Sequence, residues 1–120
     1  MKKTEGKSFT IDAKGKSLGR VATEAAKILL GKDTASFEKH IPSANFVKIV
    51  NGAGLSVRPL KKTTKMYKRY SGYPGGLTEE SFEHLSKRKG YKAVIENAVY
   101  GMLPRTRHRD NLMKQLKVEE

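Results

Sequence analysis

The stretch Arg58–Leu77, R-P-L-K-K-T-T-K-M-Y-K-R-Y-S-G-Y-P-G-G-L, limits what the rest of the chain can be. It carries six cations (Arg58, Lys61, Lys62, Lys65, Lys68, Arg69), three tyrosines (Tyr67, Tyr70, Tyr73) and no acid. Such a segment supplies no local partner for its charges, so it cannot enter a core. It reads as a long basic loop. Its residue types suit a polyanion: cations for phosphates, aromatic rings for bases, and glycines for close backbone approach. A solvated loop that merely confers solubility explains this composition at least as well, so the other segments have to decide.

The core must come from elsewhere. Ser8–Asp12 (S-F-T-I-D) alternates polar and apolar residues and predicts a strand. From Leu18 to Leu30 the apolar positions Leu18, Val21, Ala22, Ala25, Ile28 and Leu29 recur at helical spacing. Ser17 is the expected N-cap and Gly31 the expected residue past the helix end. Asn45–Val50 (N-F-V-K-I-V) predicts a buried strand, N-G-A-G (Asn51–Gly54) a turn, and Leu55–Arg58 a third short strand. Beyond the basic stretch, a second helix is expected from Thr78. Glu79 and Glu80 would sit in its dipole-favoured first turn, and Leu77 and Phe82 would form a staple. Gly90 stops that helix. A third follows over Tyr91–Met102, with Tyr91, Val94, Ile95, Ala98, Val99 and Met102 on one face, and Arg105–Lys114 can begin another. Strand, helix and strand followed by helices indicate an α/β layered domain, and 120 residues suffice for one domain but not two.

Charge narrows the function. The chain has 25 Lys and Arg against 12 Asp and Glu, a formal net charge of +13. Self-repulsion of that size is tolerable when a polyanionic partner neutralises it. A membrane surface is the other candidate, but no long apolar run or basic amphipathic helix supports it. Without cysteine there is no disulfide, thiolate catalysis or thiolate metal site. The start, M-K-K-T-E-G-K-S, lacks a secretory apolar stretch, so a cytoplasmic protein is expected.

The cations are clustered. No acid lies between Glu38 and Glu79, an interval that also holds Lys39, His40 and Lys48. Further clusters fall at Lys87–Lys92 and at Arg105–Arg109, where Arg105, Arg107, His108 and Arg109 follow Pro104. Three clusters that merge on folding would make a nucleic-acid footprint. Catalysis finds less support. His40, His84 and His108 match no metal-ligand spacing. S-G-Y-P-G-G and Gly15-Lys16-Ser17 lack the form of a phosphate loop, and the carboxylates do not cluster as a metal-dependent nuclease requires. Neither a cofactor nor a small-molecule substrate is expected.

Four segments together resemble the family of the bacterial large-subunit ribosomal protein numbered thirteen. They are D-A-K-G-K-S-L-G-R-V-A-T (Asp12–Thr23), N-F-V-K-I-V-N-G (Asn45–Gly52), Y-K-R-Y-S-G-Y-P-G-G-L (Tyr67–Leu77), and V-Y-G-M-L-P-R (Val99–Arg105) leading to L-M-K-Q-L-K-V (Leu112–Val118). Their order and spacing across most of the chain make the match specific. The resemblance implies a three-layer α/β/α domain around a four-stranded, mainly parallel sheet whose fourth strand is Leu116–Val118. It also implies a non-enzymatic structural role: binding 23S ribosomal RNA early in assembly of the 50S subunit, beside neighbouring large-subunit proteins. On matching positions, RNA contact is expected at Lys16, Arg20, Ser71, Gly72, Gly75, Gly76 and Lys114, besides Lys39, His40, the six cations and three tyrosines of Arg58–Leu77, and Arg105, Arg107, His108 and Arg109. Three departures stand out. Tyr70 replaces a common histidine, Arg58-Pro59 replaces a frequent Thr-Gly, and the sequence stops at Glu120 without the usual Val-Tyr and polar tail, which suggests a compact variant.

Overall fold

The computed structural model describes residues 6–35 and 37–120. Most of the N-terminal stretch read for a signal segment lies outside the described residues. Three parallel strands, β1 (Ser8–Asp12), β2 (Phe46–Val50) and β5 (Leu116–Val118), form a sheet in the order β1-β2-β5. Ser8 pairs with Phe46 through Asp12 with Val50, and Val47–Ile49 pair with Leu116–Val118. The central strand buries Val47 and Ile49 and turns Phe46 and Lys48 outward, the two-residue alternation of a pleated strand.

Helix α1 (Leu18–Leu30) connects β1 to β2 and occupies the residues that its periodicity predicts. Its end is a Schellman turn. Gly31 adopts φ 77°, its N–H donates to the Ile28 carbonyl, and the Lys32 N–H donates to the Lys27 carbonyl. The buried face is rotated slightly from expectation, with Ala26 inside and Ile28 at the margin. Asn45 is not the first residue of β2. It is buried, and its side-chain amide donates to the Ile28 carbonyl at 3.1 Å, so it ties the strand entry to the end of α1.

Helix α3 (Phe82–Met102) packs on α1 and closes the core. Gly90, at φ 78° and ψ 176°, leaves helical geometry and joins two helical segments at a kink, where a stop is expected. Val94, Ile95 and Val99 are fully buried, whereas Met102 is exposed and Tyr91 and Ala98 lie at the core margin. Residues 103–108 are helix-free, and α4 (Arg109–Lys114) starts later than the expected Arg105.

The region between the sheet and α3 departs most from expectation. It is not a long basic loop. Leu55–Arg58 makes one parallel bridge, Ser17 to Ser56, instead of a third strand, so the sheet has three strands among the described residues and not four. Arg58 is the N-cap of a short helix, α2 (Pro59–Thr64), with Pro59 at its first turn. Proline there lacks only an N–H that would go unused, which gives the Arg58-Pro59 departure a local structural role. Then β3 (Met66–Tyr70) and β4 (Leu77–Ser81) pair antiparallel as a separate hairpin. Thr78, Glu79 and Glu80 are therefore strand residues, and the helix begins at Phe82. Its N-cap is Ser81, whose hydroxyl accepts from the His84 N–H at 3.2 Å.

Candidate nucleic-acid interface

The first basic surface is built by two backbone segments laid side by side. The Gly15 N–H donates to the Gly54 carbonyl at 2.9 Å, and the Ser56 N–H donates to the Lys16 carbonyl at 3.0 Å. This pairing sets the start of α1 opposite the start of α2. Between them lies a cleft of about 770 Å³ lined by Lys16 and Arg20 on one wall and Arg58 and Lys61 on the other. No acid lines it. Lys16 reaches Glu24 at 3.5 Å, while Arg20, Arg58 and Lys61 form no ion pair among the described residues. Ser17, extended at the helix start, makes no side-chain cap, so the first N–H groups of α1 add positive potential to this wall.

A second cleft of about 310 Å³ continues from the first, sharing Leu18, Gly19 and Lys61 and adding Lys65, Tyr67, Asn97, Gly101 and Met102. It too has no acidic lining residue. Gly19 and Gly101 lie within helices without the left-handed φ that favours glycine, and a Cβ on either would meet nothing within 4 Å. Internal packing does not account for them, although glycine in a helix costs stability relative to alanine.

Tyr67 marks the boundary to a third cleft of about 350 Å³ between the hairpin and α3, where Lys68, Arg69, Arg88 and Lys89 meet Glu80 and Glu96. Here the charges are partly spent. Glu80, buried on β4, accepts from Arg88 Nε at 2.7 Å and Arg88 Nη2 at 2.8 Å, and lies 2.6 Å from His84 Nδ1. The Arg88 hydrogen bonds, with help from His84, hold its carboxyl at about 2. Glu80 thus fastens the hairpin to α3, and the dipole role expected for it at a helix start is replaced by this clasp. Lys68 similarly faces Glu79 across the hairpin at 3.7 Å.

The tyrosines divide. Tyr67 is half-buried against Phe82, with ring centroids 6.5 Å apart, and burial raises its phenol pKa. It is a packing residue on a strand, where the sequence suggested presentation from a loop. Tyr70 and Tyr73 are 67% and 75% exposed, free to offer their faces. Around the hairpin tip, Gly72 and Gly75 take φ of 88° and 73°, and a Cβ on Gly76 would strike the Ser71 hydroxyl. The turn itself demands these glycines, whatever approaches from outside.

The remaining expected residues are more dispersed. Lys39 and His108 share a cleft of about 400 Å³ with Pro104 and Thr106, and His40 lies 3.3 Å from Glu38. Arg109 is committed internally. Its guanidinium stacks 3.5 Å from the Tyr100 ring centre and donates to the Tyr100 carbonyl at 2.9 Å. Lys62 is half-buried beside α3, and Arg105, Arg107 and Lys114 are exposed. Sequence reasoning missed Gly19, Asn97 and Gly101 as lining residues, and it placed Lys89 in a basic cluster without naming it as a contact. For Glu80–His84, the four-residue spacing was a usable signal; for Glu80–Arg88, eight apart across a chain turn, there was none.

The described surface therefore joins cations from separate parts of the sequence into adjoining clefts, the arrangement a phosphate backbone requires. The family model for ribosomal protein L13 matches residues 6–119. The chain belongs to the ribosomal protein L13 family. A relative from Petrotoga mobilis, named large ribosomal subunit protein uL13, is 46% identical over 92% of this chain and 72% of its own length. The proteins of the same name from Synechococcus sp. and Caldanaerobacter subterraneus are each 42% identical, over 92% and 95% of this chain and 73% and 79% of theirs. Across the family match, the cation-lined clefts belong to a ribosomal protein fold, and no helix among the described residues is long and apolar enough to cross a membrane.

Proposed function

We propose that this chain is a structural constituent of the large ribosomal subunit, acting in the cytoplasm, that binds 23S rRNA and supports early assembly of the 50S particle. The observation that carries this reading is the acid-free pair of clefts lined by Lys16, Arg20, Arg58, Lys61 and Lys65, in a chain of the ribosomal protein L13 family. The mechanism is electrostatic and geometric: cations displace counterions from phosphates and hold RNA segments in register, and no bond is made or broken. Tyr70 and Tyr73 supply exposed rings for unpaired bases. Arg69, Arg105, Arg107, Lys39, His40, His108 and Lys114 extend the contact beyond the clefts, and neighbouring large-subunit proteins complete the surroundings.

The whole chain acts in this role as one domain, with residues 58–77 as its basic RNA-facing extension. Its finer architecture belongs to the same proposal. It is a three-layer domain whose sheet gains a fourth strand, and the Ser17–Ser56 bridge, which prolongs the parallel pairing past the ends of β1 and β2, supports further pairing there. The test is salt titration of binding to a 23S rRNA fragment. With six to ten phosphates engaged, affinity should drop by roughly a thousandfold or more between about 50 and 200 mM salt. Binding that hardly responds to salt would remove the mechanism.

A further inference from the structure

The two acid-free clefts are one groove, because Leu18, Gly19 and Lys61 line both. Its walls carry cations on opposite sides: Lys16 and Arg20 at the start of α1, and Arg58, Lys61 and Lys65 along α2. A duplex offers such a groove only one flank of its backbone and rests across the rim. A single strand can lie within it and be neutralised from both walls, which is how single-strand channels track a backbone. The floor fits the same occupant. Gly19 and Gly101 leave open space where any other residue would project, and neither has an internal reason to be glycine.

We propose that this groove seats one unpaired RNA strand, with its phosphates between the α1 and α2 cations and its sugars passing over Gly19 and Gly101. The proposal rests on the RNA-binding reading above and adds the kind of RNA and the place. It also assigns the hairpin a secondary part. Lys68 is paired with Glu79, and the tip glycines are explained by the turn, so the primary seat moves from the hairpin to the groove.

The experiment measures binding of the full chain to a fluorescent unstructured RNA oligonucleotide and to the same oligonucleotide annealed to its complement. Three proteins are compared: wild type, a groove variant (R20A, R58A, K61A) and a control variant of equal charge loss (K7A, K27A, K92A), whose cations lie outside the groove lining. For the single strand, losing three phosphate contacts should cut affinity about a hundredfold at 0.1 M salt and lower the salt slope by about 2. The control should keep the slope, and the duplex should not distinguish the two variants. A fourth protein, Gly19→Leu, fills the groove without changing charge. It should lose single-strand affinity while its Tm holds or rises, since a helix tolerates leucine better than glycine. Equal losses in the groove and control variants, a greater loss on the duplex, or unaltered binding by Gly19→Leu would overturn the groove assignment while leaving salt-sensitive RNA binding intact. Wild-type binding that ignores salt would instead remove the RNA reading on which it rests.

Discussion

The parallel sheet with α1 and the β3–β4 hairpin are held together by different physics. The sheet region buries a continuous apolar set, including Ile11, Val21, Leu29, Val47, Ile49 and Val118. The hairpin faces solvent with Met66, Tyr70 and Leu77, and an aromatic contact and an ionic clasp help tie it to the body. A domain can therefore carry a highly cationic appendage without burying its charge, provided a few anchors fix the appendage's orientation. Hydrophobic burial decides the fold of the first region, and point contacts decide the pose of the second. The three changes below test that division.

The largest effect is expected where the two regions meet. Phe82, fully buried, packs its ring 6.5 Å from Tyr67 of the hairpin and 6.3 Å from Tyr91 beyond the kink. Phe82→Ala should cost about 3–5 kcal/mol of unfolding free energy, through lost transfer energy plus a cavity. Denaturant unfolding measures it. If the regions are energetically joined there, the hairpin amides will lose hydrogen-exchange protection beyond that global cost. A loss confined to the sheet would show that the clasp alone holds the hairpin.

A smaller effect is expected at the kink. Gly90 holds φ 78° and ψ 176°, a conformation open almost only to glycine, so Gly90→Ala should cost about 1–3 kcal/mol. A Cβ there would also collide with the Glu120 carboxylate, whose Oε1 accepts from the Lys92 N–H at 3.2 Å. That side chain can swing aside, so the backbone conformation sets most of the penalty. Thermal unfolding of the variant checks the value. A neutral result would mean that the two segments of α3 can merge into one straight helix.

The same division explains what was legible in the sequence. The bounds of β1 and α1 and the break at Gly90 follow from local patterns that tertiary packing reinforces, whereas those of β5 come from the family resemblance. Between Arg58 and Ser81 local signals compete. Thr78 followed by two glutamates resembles a helix start, and so does Ser81 three residues before His84. Pairing of Tyr70 with Leu77 and Lys68 with Glu79 across the hairpin settles that contest, and no local pattern records it. For the candidate interface, the cationic residue types were evident from the first. Which of them share a groove depends on the Gly15–Gly54 and Ser56–Lys16 backbone bonds, which sequence spacing does not reveal. The family motifs pointed to the glycines of the hairpin tip, yet those satisfy turn geometry, whereas Gly19 was easily passed over as one more residue of a helix.

The smallest effect, and the most diagnostic, concerns the clasp. Arg88 and His84 are substantially exposed and can be solvated without Glu80, so Glu80→Gln should lower Tm only modestly near neutral pH. Its pH dependence carries the information. The folded-state pKa of Glu80 is about 2, below the ordinary 4.5, so the native state binds the proton less readily than the unfolded chain does. The clasp's contribution is therefore fully present above about 4.5 and disappears as pH falls toward 2. Asp12, Glu83 and Glu119 are also lowered, by hydrogen bonds and neighbouring cations, but they titrate alike in both proteins and cancel from the difference. The Tm gap between wild type and Glu80→Gln should accordingly close progressively as pH falls from about 4.5 toward 2. A gap independent of pH would mean that Glu80 acts through packing alone, and the ionic half of the comparison between the two regions would fall.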